Sequence, residues 1–177
     1  MRHFTLALAG LFVCVLCAGA TKSTAATANE QAIAWLGSQI RTYEQATWHW
    51  QHLMGVSPSP TTGESPAELG VAGSKLALRR WRRLARVARR RAQHPPHLAA
   101  FMCIHRYEGS WTDSGGPYYG GLQMNLGFQG AYGGWLLQRK GTADHWTPLE
   151  QIWVAEKALR SRGFWPWPST ARYCGLI

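Results

Sequence analysis

Between Ser57 and Pro66 the chain reads SPSPTTGESP, and this stretch limits how the segments on either side can be arranged. Pro58, Pro60 and Pro66 each remove a backbone donor and fix φ, so neither a helix nor a central strand can run through it. Residues 57–74 are therefore read as a proline-, serine- and glycine-rich linker. Ahead of it, from Glu30 to Val56, Ile33, Leu36, Ile40, Tyr43, Trp50, Leu53 and Met54 recur at helical spacing. This predicts an amphipathic helix within an N-terminal segment 21–56, with a break near Thr47. Trp48-His49-Trp50 lies on it, as core packing or as a platform for a sugar ring. The small, polar run Thr21–Asn29 reads as a flexible lead-in.

After the linker, Lys75 to Arg91 carries nine cations and no acid, and no Asp or Glu occurs between Glu68 and Glu108. Leu76, Trp81, Leu84, Val87 and Ala88 form an apolar stripe, so a basic amphipathic helix is expected over 75–94. The net charge of +10 rests mainly on this helix. Such a segment attracts polyanions. Three readings stay open: anionic wall polymers or a membrane surface, a solvated helix without a ligand, and nucleic acid, which export would exclude.

Export is indicated at the other end. Met1-Arg2-His3 is a short basic start, Phe4–Cys17 is an apolar run of 14 residues, and Ala18-Gly19-Ala20 fits a small-residue cleavage site. The run is short for a bilayer span, so residues 1–20 read as a signal peptide. An uncleaved anchor and lipidation at Cys17 are the alternatives.

The chemistry lies in residues 95–177. Leu98, Phe101, Met102, Ile104 and His105 predict a short, largely buried helix that ends at Gly109, with Glu108 in its last turn. A helix C-terminus and the aromatic neighbours Tyr107 and Trp111 both disfavour a carboxylate, which suits a general acid. The plainer reading is an exposed glutamate at a helix end. Downstream, Gly115-Gly116-Pro117 signals a turn, Tyr118-Tyr119 is β-prone, and Gly120-Gly121 permits a second bend. Gln123 and Asn125 share a side if this piece is extended. Amides and tyrosines both donate and accept hydrogen bonds, as a hydroxyl-rich ligand requires. A small hairpin with a polar outer face would show the same composition.

Glu108-Gly109-Ser110-Trp111, Tyr118-Tyr119-Gly120-Gly121-Leu122-Gln123, Gln151-Ile152-Trp153-Val154-Ala155-Glu156, Trp165-Pro166 and Cys174-Gly175 stand in one order. Together they resemble the catalytic domain of the resuscitation-promoting factors, a transglycosylase-like branch of the lysozyme superfamily. The resemblance runs from Pro96 to Ile177. It implies a compact lysozyme-like α+β domain, mostly α with a small β-hairpin and preceded here by the amphipathic helices, that is secreted and acts at the bacterial cell wall. It further implies cleavage of the MurNAc-GlcNAc bond of peptidoglycan, with Glu108 as acid/base and Asn125 and Gln151 opposite it. An aspartate is common in the family where this chain has Asn125. The family cysteine directly precedes the glutamate, whereas Cys103 lies one helical turn further back.

With a second carboxylate missing from its place, Asp113 is the local candidate for one, and a lytic transglycosylase route with a single glutamate is favoured over a muramidase-type hydrolase. Trp111, Tyr118, Tyr119, Gln123, Asn125 and Gln151 are the expected substrate-binding residues. A noncatalytic wall-binding module and a membrane-active basic protein are the rival classes. Cys14 and Cys17 leave with the leader, so Cys103 and Cys174 are expected to pair. Thr147-Pro148-Leu149-Glu150 opens a helix expected to run to Arg162, with Ile152, Ala155 and Leu159 on the core and Glu156 paired to Arg160. Trp135-Leu136-Leu137 starts a brief apolar piece that stops at Gly141. Phe164-Trp165-Pro166-Trp167-Pro168 is an aromatic lid or one wall of a sugar cleft. His94, His97, His105 and His145 match no zinc spacing, so neither metal nor cofactor is expected, and the protein is read as a monomer.

Overall fold

The computed structural model describes residues 17–177, with side chains described from residue 26 on. The expected leader falls outside the described residues but for Cys17–Ala20, which open the first helix. The elements in order are α1 (Cys17–Met54), α2 (Pro66–Ala92), α3 (Leu98–Glu108), β1 (Tyr118–Tyr119), β2 (Met124–Asn125), α4 (Leu126–Lys140), a 3-10 turn (Ala143–His145), α5 (Pro148–Arg162) and α6 (Pro168–Tyr173). The fold is α+β and mostly α: β1 and β2 pair antiparallel, Tyr118 opposite Asn125 and Tyr119 opposite Met124, in a sheet of two strands.

The N-terminal half departs from its sequence reading in instructive ways. α1 is one helix of 38 residues, without a break at Thr47. Thr47 is buried and returns its hydroxyl to Tyr43 O at 2.6 Å, so its polarity is satisfied inside the helix. The lead-in is helical too, since the run TAATANEQA is rich in helix formers. α2 begins at Pro66, inside the segment read as linker, because Ser65 and Glu68 form a reciprocal capping box ahead of it. Gly70, at φ 61, turns the first turn aside, and the Ser74 hydroxyl reaches back to Pro66 O.

The inward face of α2 matches the expected one in part: Trp81 and Ala88 are buried and Leu84 packs on the cluster that holds Trp81, but Leu76 and Val87 do not face inward. Ser74, Leu78, Trp81, Ala85, Ala88 and Ala92 are buried, while Leu76 is 63% exposed and Val87 is exposed. The true stripe alternates steps of four and three, and α1 carries the same alternation in Leu36, Ile40, Tyr43, Thr47, Trp50 and Met54. The two series run in step and in the same direction. Leu36 and Ile40 share a cluster with Leu78 and Trp81, the Trp48 ring meets Trp81 edge-on at 5.7 Å, and Leu53 and Met54 share the main core with Ala88 and Ala92. α1 and α2 thus form a parallel pair with coiled-coil spacing. Parallel helices need a return path, and residues 55–65 supply it. Trp48 Nε1 donates to Ser59 O, Gln51 exchanges two hydrogen bonds with Ser59, and Arg80 donates to Pro60 O, so the return segment lies along one seam of the pair. Trp48 therefore packs against protein.

The main core joins the lower end of this pair to α3, α4 and α5 around Phe101, Ile104, Leu122, Leu136, Ile152 and Val154. α5 starts and stops as its sequence predicts, between the Thr147/Glu150 capping box and Gly163, with Ile152 and Ala155 buried and Leu159 packed on the core. Glu156 corrects its expected partner. Its carboxylate is 5% exposed and accepts from His97 N at 2.7 Å and meets His97 Nδ1 at 3.0 Å, so it anchors the start of α3 instead of pairing with Arg160. α4 begins at Leu126, ahead of the expected apolar piece, because Asn125 caps it, and Gly133 distorts it without ending it.

Candidate active site

Glu108 is the last residue of α3, as its sequence implies, and is half-buried. Its Oε1 accepts a 2.7 Å hydrogen bond from Thr170 Oγ1 on α6. α6 is held in place by the Cys103–Cys174 disulfide, which joins it to α3, and by Tyr107 and Tyr173, whose rings lie 5.8 Å apart. The expected bridge is therefore present, and it fixes the element that orients the candidate acid. Neither α6 nor Thr170 is foreseen from sequence. Pro168 at the start of a short run after a proline-aromatic stretch was the available signal.

The hairpin, α4 and the stretch that leads into α6 enclose a cleft of about 360 Å³. Its lining comes from the hairpin (Tyr118, Gln123, Asn125), from α4 (Phe128, Tyr132) and from Arg162, Pro166 and Trp167. Glu108 is not among the lining residues, and two contacts link it to them. Thr170, its hydrogen-bond partner, also reaches Trp167 O, and Gln123 Nε2 packs 3.1 Å from the Cβ position of Gly109. The Phe164–Pro168 stretch divides its two expected roles. Trp167 is buried, donates Nε1 to Leu122 O and walls the cleft, whereas Trp165 is 64% exposed.

The remaining candidates separate into those that face the cleft and those that build it. Tyr118, Gln123 and Asn125 line it. Gln123 and Asn125 are not a matched pair on one extended strand, because Gln123 takes φ 47 and only Met124–Asn125 is strand. That left-handed backbone is held by the Gln123 side chain, which donates to Asp113 Oδ2 at 2.9 Å and Gly120 O at 3.0 Å. Asn125 lines the cleft while its Oδ1 accepts from Phe128 N at 2.8 Å. Tyr119 and Trp111 pack against the main core, and Trp111 stacks on His105 at 3.9 Å. Both oxygens of Asp113 are engaged inside the loop, Oδ1 by Gly115 N and Oδ2 by Gln123.

Gln151 is drawn furthest from its sequence reading. It is fully buried, its Oε1 accepts from Gly121 N at 2.9 Å, and its Nε2 is shared among Trp111 O, Ala143 O and Trp146 O at 2.8–3.1 Å. The side chain is a staple between the hairpin and the loop before α5. Gly120 and Gly121 make room for it and for its neighbours. A Cβ on Gly120 would collide with Gln151 Oε1, and one on Gly121 would stand 2.6 Å from His105 Nδ1 and from Trp111. Gln129, unmarked in the sequence reading, is a second staple: it is buried, donates to Met124 O at 2.6 Å and accepts from Ala143 N at 3.0 Å.

A second polar junction ties α1 to this domain. Glu150 is buried with Lys140 Nζ at 2.7 and 2.8 Å, Thr147 N at 2.8 Å and His49 Nε2 at 3.5 Å. Burial alone would raise the Glu150 pKa, but Lys140 and the Thr147 amide outweigh it and hold the group below its ordinary value. His49 is held below its ordinary value, chiefly by burial.

Over 65 residues the chain is 42% identical to "Resuscitation-promoting factor RpfE" of Mycobacterium tuberculosis (strain ATCC 25618 / H37Rv). The matching segment takes in 36% of this chain and 35% of that protein. No family model matches. A chain that couples a fixed glutamate to a polar, aromatic-walled cleft is thus similar, over about a third of its length, to a resuscitation-promoting factor.

Proposed function

We propose that this protein cleaves the MurNAc-GlcNAc bond of peptidoglycan by the lytic transglycosylase route, with Glu108 as both acid and base, and that it does so as a secreted protein at the bacterial cell wall. The observation that carries this reading is the Glu108 carboxyl held by Thr170, which also reaches the cleft residue Trp167, while Asp113, the candidate second carboxylate, has both oxygens engaged by Gly115 and Gln123. The partial similarity to a resuscitation-promoting factor supports the substrate class.

The geometry supports the following steps. With Oε1 accepting from Thr170, a proton on Glu108 resides on Oε2. Oε2 donates it to the glycosidic oxygen, and the C1–O bond of MurNAc breaks as the GlcNAc hydroxyl leaves. The carboxylate then removes the proton of the C6 hydroxyl of the same MurNAc, whose oxygen bonds to C1 and closes the 1,6-anhydro ring. No water is consumed. Gln123, Asn125 and Tyr118 offer amide and phenol groups to the sugar, and Trp167 walls the site. Gln151, Trp111 and Tyr119 shape the cleft from within. A muramidase-type hydrolysis would draw its second carboxylate from Asp113, whose two oxygens each already accept a hydrogen bond.

The deciding experiment compares the purified protein with Glu108→Gln on peptidoglycan, reading the soluble muropeptides by mass spectrometry. Anhydro-MurNAc ends from the wild type alone are expected. Reducing MurNAc ends would establish hydrolysis instead, and binding without products from either protein would make this a wall-binding module.

A further inference from the structure

The seam between α1 and α2 opposite the return segment is open. It forms a groove of about 620 Å³ with Tyr43, Trp50 and Ala85 inside it and Arg82, Arg86, Arg89 and Arg90 along its α2 edge. Among the described residues none of these four guanidiniums pairs with a carboxylate, and Arg82 instead lies over the Tyr43 ring at 5.4 Å. Arg82, Arg86 and Arg90 sit four residues apart, so along the helix their positions repeat about every 6 Å. Cations therefore recur at regular intervals beside an aromatic floor.

We propose that this groove binds a linear acidic polysaccharide, with its carboxylate or phosphate groups on the arginine row and its sugar faces against Tyr43 and Trp50. The choice of a wall glycan as occupant rests on the peptidoglycan reading above. Two features of the groove select this occupant. Guanidiniums bind oxyanions in a planar, two-pronged manner, and a row of them matches a repeating polyanion. The aromatic floor adds a flat apolar surface of the kind ligand sites use for orientation, for which a bare polyanion has no use. A bilayer is the poorer occupant. A helix that lies in a membrane surface must present its apolar face to lipid, and the apolar face of α2 is already buried against α1. The site would hold the enzyme on the wall while the cleft acts elsewhere on it.

The test measures binding of the purified protein to size-fractionated polygalacturonate, with dextran of equal length, inorganic polyphosphate, phosphatidylglycerol vesicles and single-stranded DNA as comparison ligands. Polygalacturonate is expected to bind more tightly than each of these and to weaken with salt. Arg86→Gln/Arg90→Gln should weaken it about tenfold and reduce the slope of log K against log salt by about 1.4. Arg79→Gln/Arg83→Gln removes the same charge from exposed positions outside the groove and should change binding by no more than about twofold. Equal losses in the two double variants would overturn the groove in favour of diffuse charge. Polyphosphate, DNA or vesicles binding as tightly as the glycan would overturn the assignment to a polysaccharide. Glu108→Gln should bind polygalacturonate like wild type, so a failure of the catalytic reading leaves this result standing and the reverse.

Discussion

Gln151→Leu separates a staple from a sugar ligand. The substitution keeps the bulk and removes both ends of the amide, so Gly121 N, Ala143 O and Trp146 O lose a buried partner, and Trp111 O loses a part-buried one. A buried polar group left unsatisfied costs about 1–3 kcal/mol. Counting only Gly121 N and one buried carbonyl, because Nε2 divides two protons among three acceptors, gives roughly 2–6 kcal/mol. For a chain of this size a loss in the middle of that range lowers the melting midpoint by on the order of 10 °C. Calorimetry and urea unfolding measure this directly, and any residual activity at low temperature should have lost turnover, since the hairpin that carries Tyr118, Gln123 and Asn125 is no longer pinned. Gln151→Glu should be no milder, because it places a carboxylate against three carbonyl oxygens. A Gln151→Leu protein with wild-type stability and only a raised KM would refute the argument and return Gln151 to the sugar.

Thr170→Val removes the one hydrogen bond assigned to the Glu108 carboxyl; turnover should fall about ten- to hundredfold, from the 1.5–3 kcal/mol of a hydrogen bond to a charged group, with the melting midpoint nearly unchanged. Reducing the disulfide opens a cross-link that spans 71 residues, and a Cys103→Ser/Cys174→Ser protein should lose about 4 kcal/mol in urea titrations. Acid should loosen the docking of α1 in two stages. His49 is held neutral below its ordinary 6.5, so its contribution is complete above pH 6.5 and declines as pH falls below that; Glu150 is held below its ordinary 4.5, so its contribution begins to decline only as pH falls below about 4.5. Tryptophan fluorescence against pH should show both stages, and His49→Gln should shrink the first, leaving the part due to His52, which is also held below its ordinary value by burial and meets the Trp135 ring.

What the sequence conveyed best were features written in adjacent residues. The capping box at Thr147, the stop at Gly163, the β-prone Tyr118-Tyr119 and the place of Glu108 before Gly109 are local, and each is where its residues imply. The failures came where distant segments decide. Periodicity on α2 admitted more than one stripe, and only α1 lying alongside selects Leu78 and Ala85 over Leu76 and Val87. Glu156 had Arg160 one turn away, but the free amide of His97 across the domain gave a buried carboxylate a better partner. Gln151 looked like a ligand for sugar because an amide is equally suited to backbone, and burial is not readable from residue type. The Thr170 contact to Glu108 spans 62 residues and leaves no local mark.

The parallel course of α1 and α2 also has a mechanical consequence. The lower ends of both helices are set in the core of the C-terminal domain, so traction on the amino-terminal end of α1 slides one helix along the other instead of peeling them apart. Every matched pair from Leu36 and Ser74 down to Met54 and Ala92 then resists together. A pulling measurement should find a higher rupture force with the chain held at Ala26 than at Gly63 in the return segment. Under such a load the helix pair acts as a shear joint that passes strain to the core around α3 and α5.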